Sequence, residues 1–340
     1  MTDYVLSVVD AVADSPARTR PATRPPLRVG LVQQRWHSDA VEHEQALAGG
    51  IALAAAQGAQ LVCLQELTLS PYFAITPDGP DALGVAPEPL DDGPTIRFAR
   101  RAAAASGVHV HASLFEQADR GDGLGYNTAI LVSPAGELVQ RTRKLHIPVT
   151  AGYYEDRYFR QGPANGEGDP FPVVALRLAD GEPASSGAGA GGVDSGAGAA
   201  TAHLGLPTCW DQWFPELARA YSLAGAEVLI YPTAIGSEPD HPEFDTEPLW
   251  RQVIVGNGIA NGTFMVAINR IGEEGPLTFY GSSFISDPYG RILAQAPRDR
   301  PAVLVADLDL DERRDWLELF PFLTTRRPDA YGPLTDVRRQ

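Results

Sequence analysis

The feature that most constrains this fold is a regular alternation of short apolar strands with helices, running from residue 27 to residue 309. Arg28–Gln33 alternates with the strand period, and Asp39–Gln57 follows as an Ala-rich helix with apolar residues at helical spacing. Leu61–Leu64 is a short buried strand running into Gln65-Glu66. Pro94–Ser106 opens on the proline favoured at a first helical position, and Val108–Phe115 is the next strand. Asn127–Ser133 and Glu137–Arg141 flank Pro134-Ala135-Gly136 as a hairpin. Further strands are expected at Phe171–Leu178, His203–Cys209, Glu227–Tyr231, Thr263–Asn269, Phe279–Ser286, Arg291–Gln295 and Val303–Asp309. Helices are expected at Phe214–Ala224 and Glu247–Asn261. Strands outnumber helices and several are joined as hairpins. That disfavours a purely parallel doubly wound sheet and favours a mixed-sheet α/β sandwich in one domain.

Two segments interrupt the pattern. Residues 1–26 end in a Pro- and Arg-rich stretch without periodicity and read as a flexible or loosely docked arm. Residues 181–202 are rich in Gly and Ala and read as a flexible insertion between two strands. Gly187, Gly189 and Gly192 there have G-x-G-x-x-G spacing, but no amphipathic helix follows, so a dinucleotide site is not supported. The main domain is expected over 27–325, followed by a tail over 326–340.

Composition removes several function classes. The net charge is −16, which repels phosphate backbones and anionic lipid and better suits a cationic or neutral small molecule. No apolar run reaches the length of a membrane-spanning helix. The N-terminus is acidic, and its apolar stretch Tyr4–Val9 is short and interrupted by Ser7, so it does not read as a signal peptide. With two cysteines there is no disulfide scaffold and no four-thiolate zinc site, and a reduced, cytoplasmic compartment is expected.

Of the two cysteines, Cys63 sits among apolar neighbours in Leu61-Val62-Cys63-Leu64 and reads as inert core. Cys209 ends a strand and precedes a helix carrying Pro215. A thiol there faces unpaired N–H groups and the positive end of the helix dipole, both of which favour the thiolate. The same local sequence also suits a buried structural thiol, and nothing local separates the two. A thiolate nucleophile needs a proton acceptor. His109 and His111 share a strand face, but no third ligand is near enough to argue for a metal. His146 follows Lys144 ahead of a long loop, and Glu66 lies where a strand leaves the core. Taken singly, Glu66 and Lys144 read as surface ion-pair residues.

Together, a strand-end Glu, a loop Lys and a strand-end Cys resemble the catalytic set of the nitrilase superfamily, the carbon–nitrogen hydrolases. The resemblance rests on LVCLQEL around Glu66, RKLHIP then GYYEDRYFRQG around Lys144, and TCWDQWFPE around Cys209. NGIANGTFMVAINRIG and FYGSSFISDPYG follow in the family's order, and the match spans roughly residues 27–325. Within the superfamily, TCWDQWFPE and YPTAIGSEP resemble the N-carbamoylputrescine amidase branch. Departures are Pro207-Thr208 before the Cys, Thr68-Leu69-Ser70 after Glu66, the arm and the insertion.

The resemblance implies a four-layer α-β-β-α sandwich, paired in a homodimer or higher homo-oligomer. It implies a thiol amidohydrolase with Cys209 as nucleophile, Glu66 as general base and acid, and Lys144 stabilising the oxyanion with the Trp210 backbone N–H. Glu155 matches a second family glutamate that positions Lys144 and substrate. Tyr72, on the loop after Glu66, and Trp210 would line the substrate pocket. No metal or organic cofactor is implied, and the partner is a small carbamoylated amine or amide, with a nitrile or ureido acid as the alternative. Glu238, held extended by Pro239, is the candidate acceptor for a substrate ammonium.

Overall fold

The computed structural model describes residues 2–10, 14–150, 152–164, 166–178 and 200–336. The first seven strands are β1 (Val5–Val9), β2 (Leu27–Gln33), β3 (Leu61–Cys63), β4 (His109–Glu116), β5 (Gly125–Val132), β6 (Leu138–Arg143) and β7 (Phe159–Arg160). They are followed by β8 (Val173–Arg177), β9 (Thr201–Gly205), β10 (Val228–Pro232) and β11 (Phe264–Ile268). The last five are β12 (Ile271–Glu274), β13 (Leu277–Tyr280), β14 (Phe284–Ser286), β15 (Ile292–Gln295) and β16 (Ala302–Leu308). The helices are α1 (Ala40–Ala56), α2 (Pro94–Ser106), α3 (Pro215–Leu223), α4 (Glu247–Asn261) and α5 (Asp311–Leu319). One sheet runs β1-β16-β2-β3-β4-β5-β6 with β7 beside β5, a second runs β15-β14-β11-β10-β9-β8, and β12-β13 stands apart as a hairpin.

Side-chain parity builds the layers. In a strand, alternate residues face opposite sides. Leu27, Val29 and Leu31 of β2, Leu61 and Cys63 of β3, and Val228 and Ile230 of β10 share one core between the two sheets. The other parity of the first sheet, such as Val32, Val62 and Val110, packs on Leu47 and Ile51 of α1 and Ile96 and Ala99 of α2. The outer face of the second sheet, Leu229, Tyr231 and Met265, packs on Leu217 and Tyr221 of α3 and Trp250 and Ile254 of α4. The result is the expected four-layer α-β-β-α sandwich with mixed sheets.

Strands β2, β3 and β4 are parallel neighbours, as are β9, β10 and β11. Their carboxyl ends therefore open onto loops at common edges. Glu66 leaves β3, Cys209 follows β9, and Glu238 follows β10. Lys144 comes directly after β6.

Several expectations are corrected. The arm over 1–26 is not merely loosely docked: Val5–Val9 pairs parallel with β16 as an edge strand, Val5 opposite Ala302. Arg18 bonds Asp315 and Asp309 at 2.8 and 2.6 Å, and Arg24 pairs with Glu227 at 2.8 Å and Asp311 at 3.0 Å. The expected strand Phe279–Ser286 is two strands in different sheets, because Gly281 and Ser282 both adopt positive φ, 55° and 58°, and turn the chain. Thr201 and Ala202, assigned to the insertion, belong to β9. Most of the insertion, with the G-x-G-x-x-G spacing, lies outside the described residues, but the strands that bracket it pair antiparallel, Arg177 opposite Thr201. In the expected tail, Pro328–Ala330 and Gly332–Leu334 form single 3₁₀ turns. Helix α5 and the hairpin β12–β13 were not anticipated.

Candidate active site

The site is assembled from the ends of β3, β6 and β9. After β3 the chain turns sharply, Leu67 taking a positive φ of 48°. The guanidinium of Arg270, fully buried, holds this turn by donating to the carbonyl of Glu66 at 2.6 Å and of Leu67 at 3.1 Å. Its Nη1 donates to Glu274 at 2.6 Å, and Glu274 accepts the backbone N–H of Tyr72 at 2.7 Å. Carbonyls without a ladder partner are thus satisfied by a cation instead of water.

Glu66, Lys144 and Glu155 form one buried network. Glu66 Oε1 accepts from Asn127 Nδ2 at 2.7 Å and from Lys144 Nζ at 3.1 Å, while its Oε2 is buried with no hydrogen-bond partner among the described residues. Lys144 Nζ also reaches both oxygens of Glu155, at 2.9 and 2.6 Å, and the Tyr72 hydroxyl donates to Glu155 Oε1 at 2.5 Å. Burial works against the Lys144 charge, but the carboxylates of Glu155 and Glu66 outweigh it and raise its pKa. Burial pushes Glu155 upward against the pull of Lys144.

Cys209 is not the last residue of a strand. β9 ends at Gly205, and Cys209 opens a 3₁₀ turn, Cys209–Trp213, with a positive φ of 36°. A non-glycine residue in that region is strained and is kept there by its surroundings. Here the restraint is Asp211, whose carboxylate accepts the N–H of Thr208 at 3.1 Å and of His146 at 2.9 Å. One side chain therefore fixes the cysteine turn and ties it to the segment carrying Lys144. The expected preference for thiolate is also corrected. Burial raises the Cys209 pKa well above its ordinary value, the Glu66 charge adds to this, and Lys144 and the Ala234 backbone amide offset only part. The surroundings therefore favour the thiol form, beside the Glu66 carboxylate.

The other sequence candidates sort cleanly. His146 is no base for Cys209: its Nδ1 lies 2.8 Å from Asp211 Oδ1 and its ring stacks on Phe214 at 3.7 Å. Cys63 is fully buried in the inter-sheet core. His111 is buried and neutral, its pKa pushed down to about 3 by burial, and among the described residues no three His, Cys, Asp or Glu side chains converge to hold a metal.

Cys209 opens into a cavity of about 190 Å³. Tyr72, Glu155, Trp210 and Glu238 all line it, as do Tyr153, Trp213 and Leu249. The Tyr72 hydroxyl is committed to Glu155, so its ring supplies the wall. Glu238 is partly buried, makes no hydrogen bond or ion pair through its carboxylate among the described residues, and has its pKa raised by burial. Its loop is held by Asn269, which accepts the Ile235 N–H at 3.1 Å and donates to the Ile235 carbonyl at 2.8 Å. Among the described lining residues there is no Lys, Arg or His.

A family model described as carbon–nitrogen hydrolase matches residues 28–318. The chain is 37% identical over 287 residues to an N-carbamoylputrescine amidase of Arabidopsis thaliana, covering 82% of this chain and 85% of that protein. A citrullinase of Francisella tularensis subsp. tularensis is 31% identical over 312 residues, covering 91% of this chain and 98% of that one. A solved carbon–nitrogen hydrolase from Helicobacter pylori G27 superposes with a TM-score of 0.74 at 31% identity, covering 92% of this chain and 100% of that chain.

Proposed function

The chain belongs to the carbon–nitrogen hydrolase family and acts on C–N bonds, and on that premise we propose that it cleaves the carbamoyl group of N-carbamoylputrescine, giving putrescine, ammonia and carbon dioxide. The observation that carries this reading is the free carboxylate of Glu238 in the cavity of Cys209, with no basic side chain on the described lining. Such a wall suits a ureido group at one end and an ammonium at the other. Citrulline has both groups but adds a carboxylate, which would meet Glu238 and no counter-charge.

In the proposed reaction Cys209 Sγ attacks the ureido carbon as its proton passes to the unpartnered Oε2 of Glu66. The oxygen becomes an oxyanion stabilised by the Lys144 cation and the Trp210 backbone N–H. Glu66 returns the proton to the departing nitrogen, ammonia leaves, and an S-carbamoyl thioester remains on Cys209. Water, deprotonated by Glu66, attacks this carbon, and the thiol is regenerated with release of a carbamate that falls apart to amine and carbon dioxide. Lys144, held against Glu155, stays charged throughout, so Glu66 alone handles the protons.

A charge-assisted contact between Glu238 and the ammonium contributes about 1.5–3 kcal/mol when desolvated and less where water reaches it. Glu238→Gln is therefore expected to lower kcat/KM for N-carbamoylputrescine roughly tenfold or more, and to spare an uncharged analogue of the same length. Ammonia release from N-carbamoylputrescine, citrulline, N-carbamoyl-β-alanine and a short aliphatic amide provides the test. Higher kcat/KM on any of the other three, or equal losses in Glu238→Gln on charged and uncharged substrates, overturns the assignment.

A further inference from the structure

We propose that Gln212 is a positioning residue for the nucleophile: helix α4 grips it at both of its carbonyls and so sets the turn on which Cys209 stands. The inference rests on Cys209 being the nucleophile, as proposed above, and not on which substrate is cleaved. Gln212 lies in the 3₁₀ turn Cys209–Trp213, is fully buried, and borders the catalytic cavity together with Cys209. Trp250 Nε1 donates to its side-chain Oε1 at 2.8 Å, and Asn257 Nδ2 donates to its main-chain carbonyl at 3.0 Å. Trp250 and Asn257 stand two helical turns apart on α4, so one face of the helix supplies both donors.

The grip is itself held. The Trp250 ring is fully buried against Tyr280 and Phe284, with ring centroids 5.8 and 5.4 Å away, and this packing aims its N–H. An indole nitrogen only donates, so it selects the carbonyl end of the glutamine amide. Gln212 Nε2 is buried with no hydrogen-bond partner among the described residues. Trp250 is therefore the sole hydrogen-bonding anchor of this side chain among those residues, and a buried donor is left open to keep the placement.

The turn needs such an anchor. Cys209 sits at a φ of 36°, a strained conformation that relaxes unless its flanks are fixed. Before it, the Thr208 N–H is held by Asp211, whose carboxylate also accepts the His146 N–H. After it, Gln212 is held by α4. The Cys209 Sγ and the Trp210 N–H, the attacking atom and the proposed oxyanion donor, lie between these two anchors in the chain. The reaction depends on how these two groups are placed, and a displacement of about 1 Å in such a pair costs on the order of a hundredfold in rate.

Steady-state kinetics on the best-cleaved of the substrates named above, with Tm from calorimetry, test this. Trp250→Phe, which keeps an aromatic ring and removes the N–H, and Gln212→Met are each expected to lower kcat roughly ten- to hundredfold with KM near that of the parent. The double variant should be no worse than Gln212→Met alone, because both changes remove the same bond. Ile254→Val, a packing change in the core beneath the same helix, should lower Tm and leave kcat unchanged. In a Cys63→Ala background, the Cys209 thiolate should form at lower pH in Trp250→Phe than in its parent. A loosened turn lets Sγ move away from the burial and the Glu66 charge that hold it protonated. Parent-like kcat in Trp250→Phe and Gln212→Met whatever their Tm, a loss confined to KM, or losses that add in the double variant overturn the assignment. The underlying reading fails separately, if Cys209→Ala still turns over substrate.

Discussion

At the scale of single residues, the site holds a fully buried ammonium against two carboxylates, and this arrangement decides the chemistry. Lys144 remains charged because Glu155 and Glu66 outweigh its desolvation, while Cys209, facing the same carboxylates, is held as a thiol. In the proposed reaction, deprotonation then accompanies attack on the substrate instead of preceding it. Replacing Glu66 by Gln removes a negative neighbour of Cys209, which favours the thiolate and lowers its pKa, while also removing the base. In a Cys63→Ala background, thiolate absorbance near 240 nm should rise at lower pH in Glu66→Gln than in its parent. Turnover should nevertheless fall by roughly 10²–10⁴-fold. A thiolate already present at neutral pH in the parent would contradict the picture. Glu66, Lys144 and Cys209 were legible in the sequence because each sits in a distinctive local motif. Asn127, Asp211 and Arg270 were not, since their meaning comes from partners 61, 65 and 204 residues away.

At the scale of elements, most boundaries follow from apolar periodicity, and the exceptions share a cause. α5 reads Asp-Glu-Arg-Arg-Asp at its start, a pattern that looks solvated, yet Asp311, Glu312 and Asp315 are its buried face. Arg18 and Arg24 of the arm pair with Asp315 and Asp311 on that face, sharing them with Arg314 of the helix, while Glu312 pairs with Arg291. Periodicity assigns apolar faces and has no symbol for a buried acidic one. Deleting residues 2–26 should leave Asp311 and Asp315 with Arg314 as their one shared cation among the described residues and expose β16 as an unpaired edge. Breaking such a partly buried network costs about 2–4 kcal/mol, and in a chain of this size that lowers Tm by roughly 3–6 °C. The truncated protein should also aggregate more readily, while kcat stays near that of the full chain because none of the arm's described residues lines the catalytic cavity. An unchanged Tm measured by calorimetry would show that the arm is an ornament on a self-sufficient core.

At the scale of the whole molecule, a mixed-sheet sandwich was readable because strands outnumber helices and hairpins disfavour a single parallel sheet, while its four layers came from the family resemblance. The cavity was not readable, since it depends on how loops from both sheets meet. One global property joins sequence to function without passing through the fold: a net charge of −16. Clefts lined by one sign of charge concentrate ligands of the other sign and speed their encounter, and salt screens the effect over a Debye length of about 8 Å at physiological ionic strength. With Glu238 lining the cavity, the proposed substrate, which bears an ammonium, would approach down this field. Raising ionic strength from about 20 mM to about 300 mM should therefore reduce kcat/KM for N-carbamoylputrescine by about three- to tenfold. N-pentylurea, in which a methyl replaces the ammonium at the same chain length, should respond little. Glu238→Gln should lower the cationic substrate's kcat/KM at every salt concentration yet keep most of its salt slope, because one charge among many sets the contact and the whole surface sets the approach. Parallel salt responses for the charged and uncharged substrates would remove steering from the account and leave recognition to the contact at Glu238 alone.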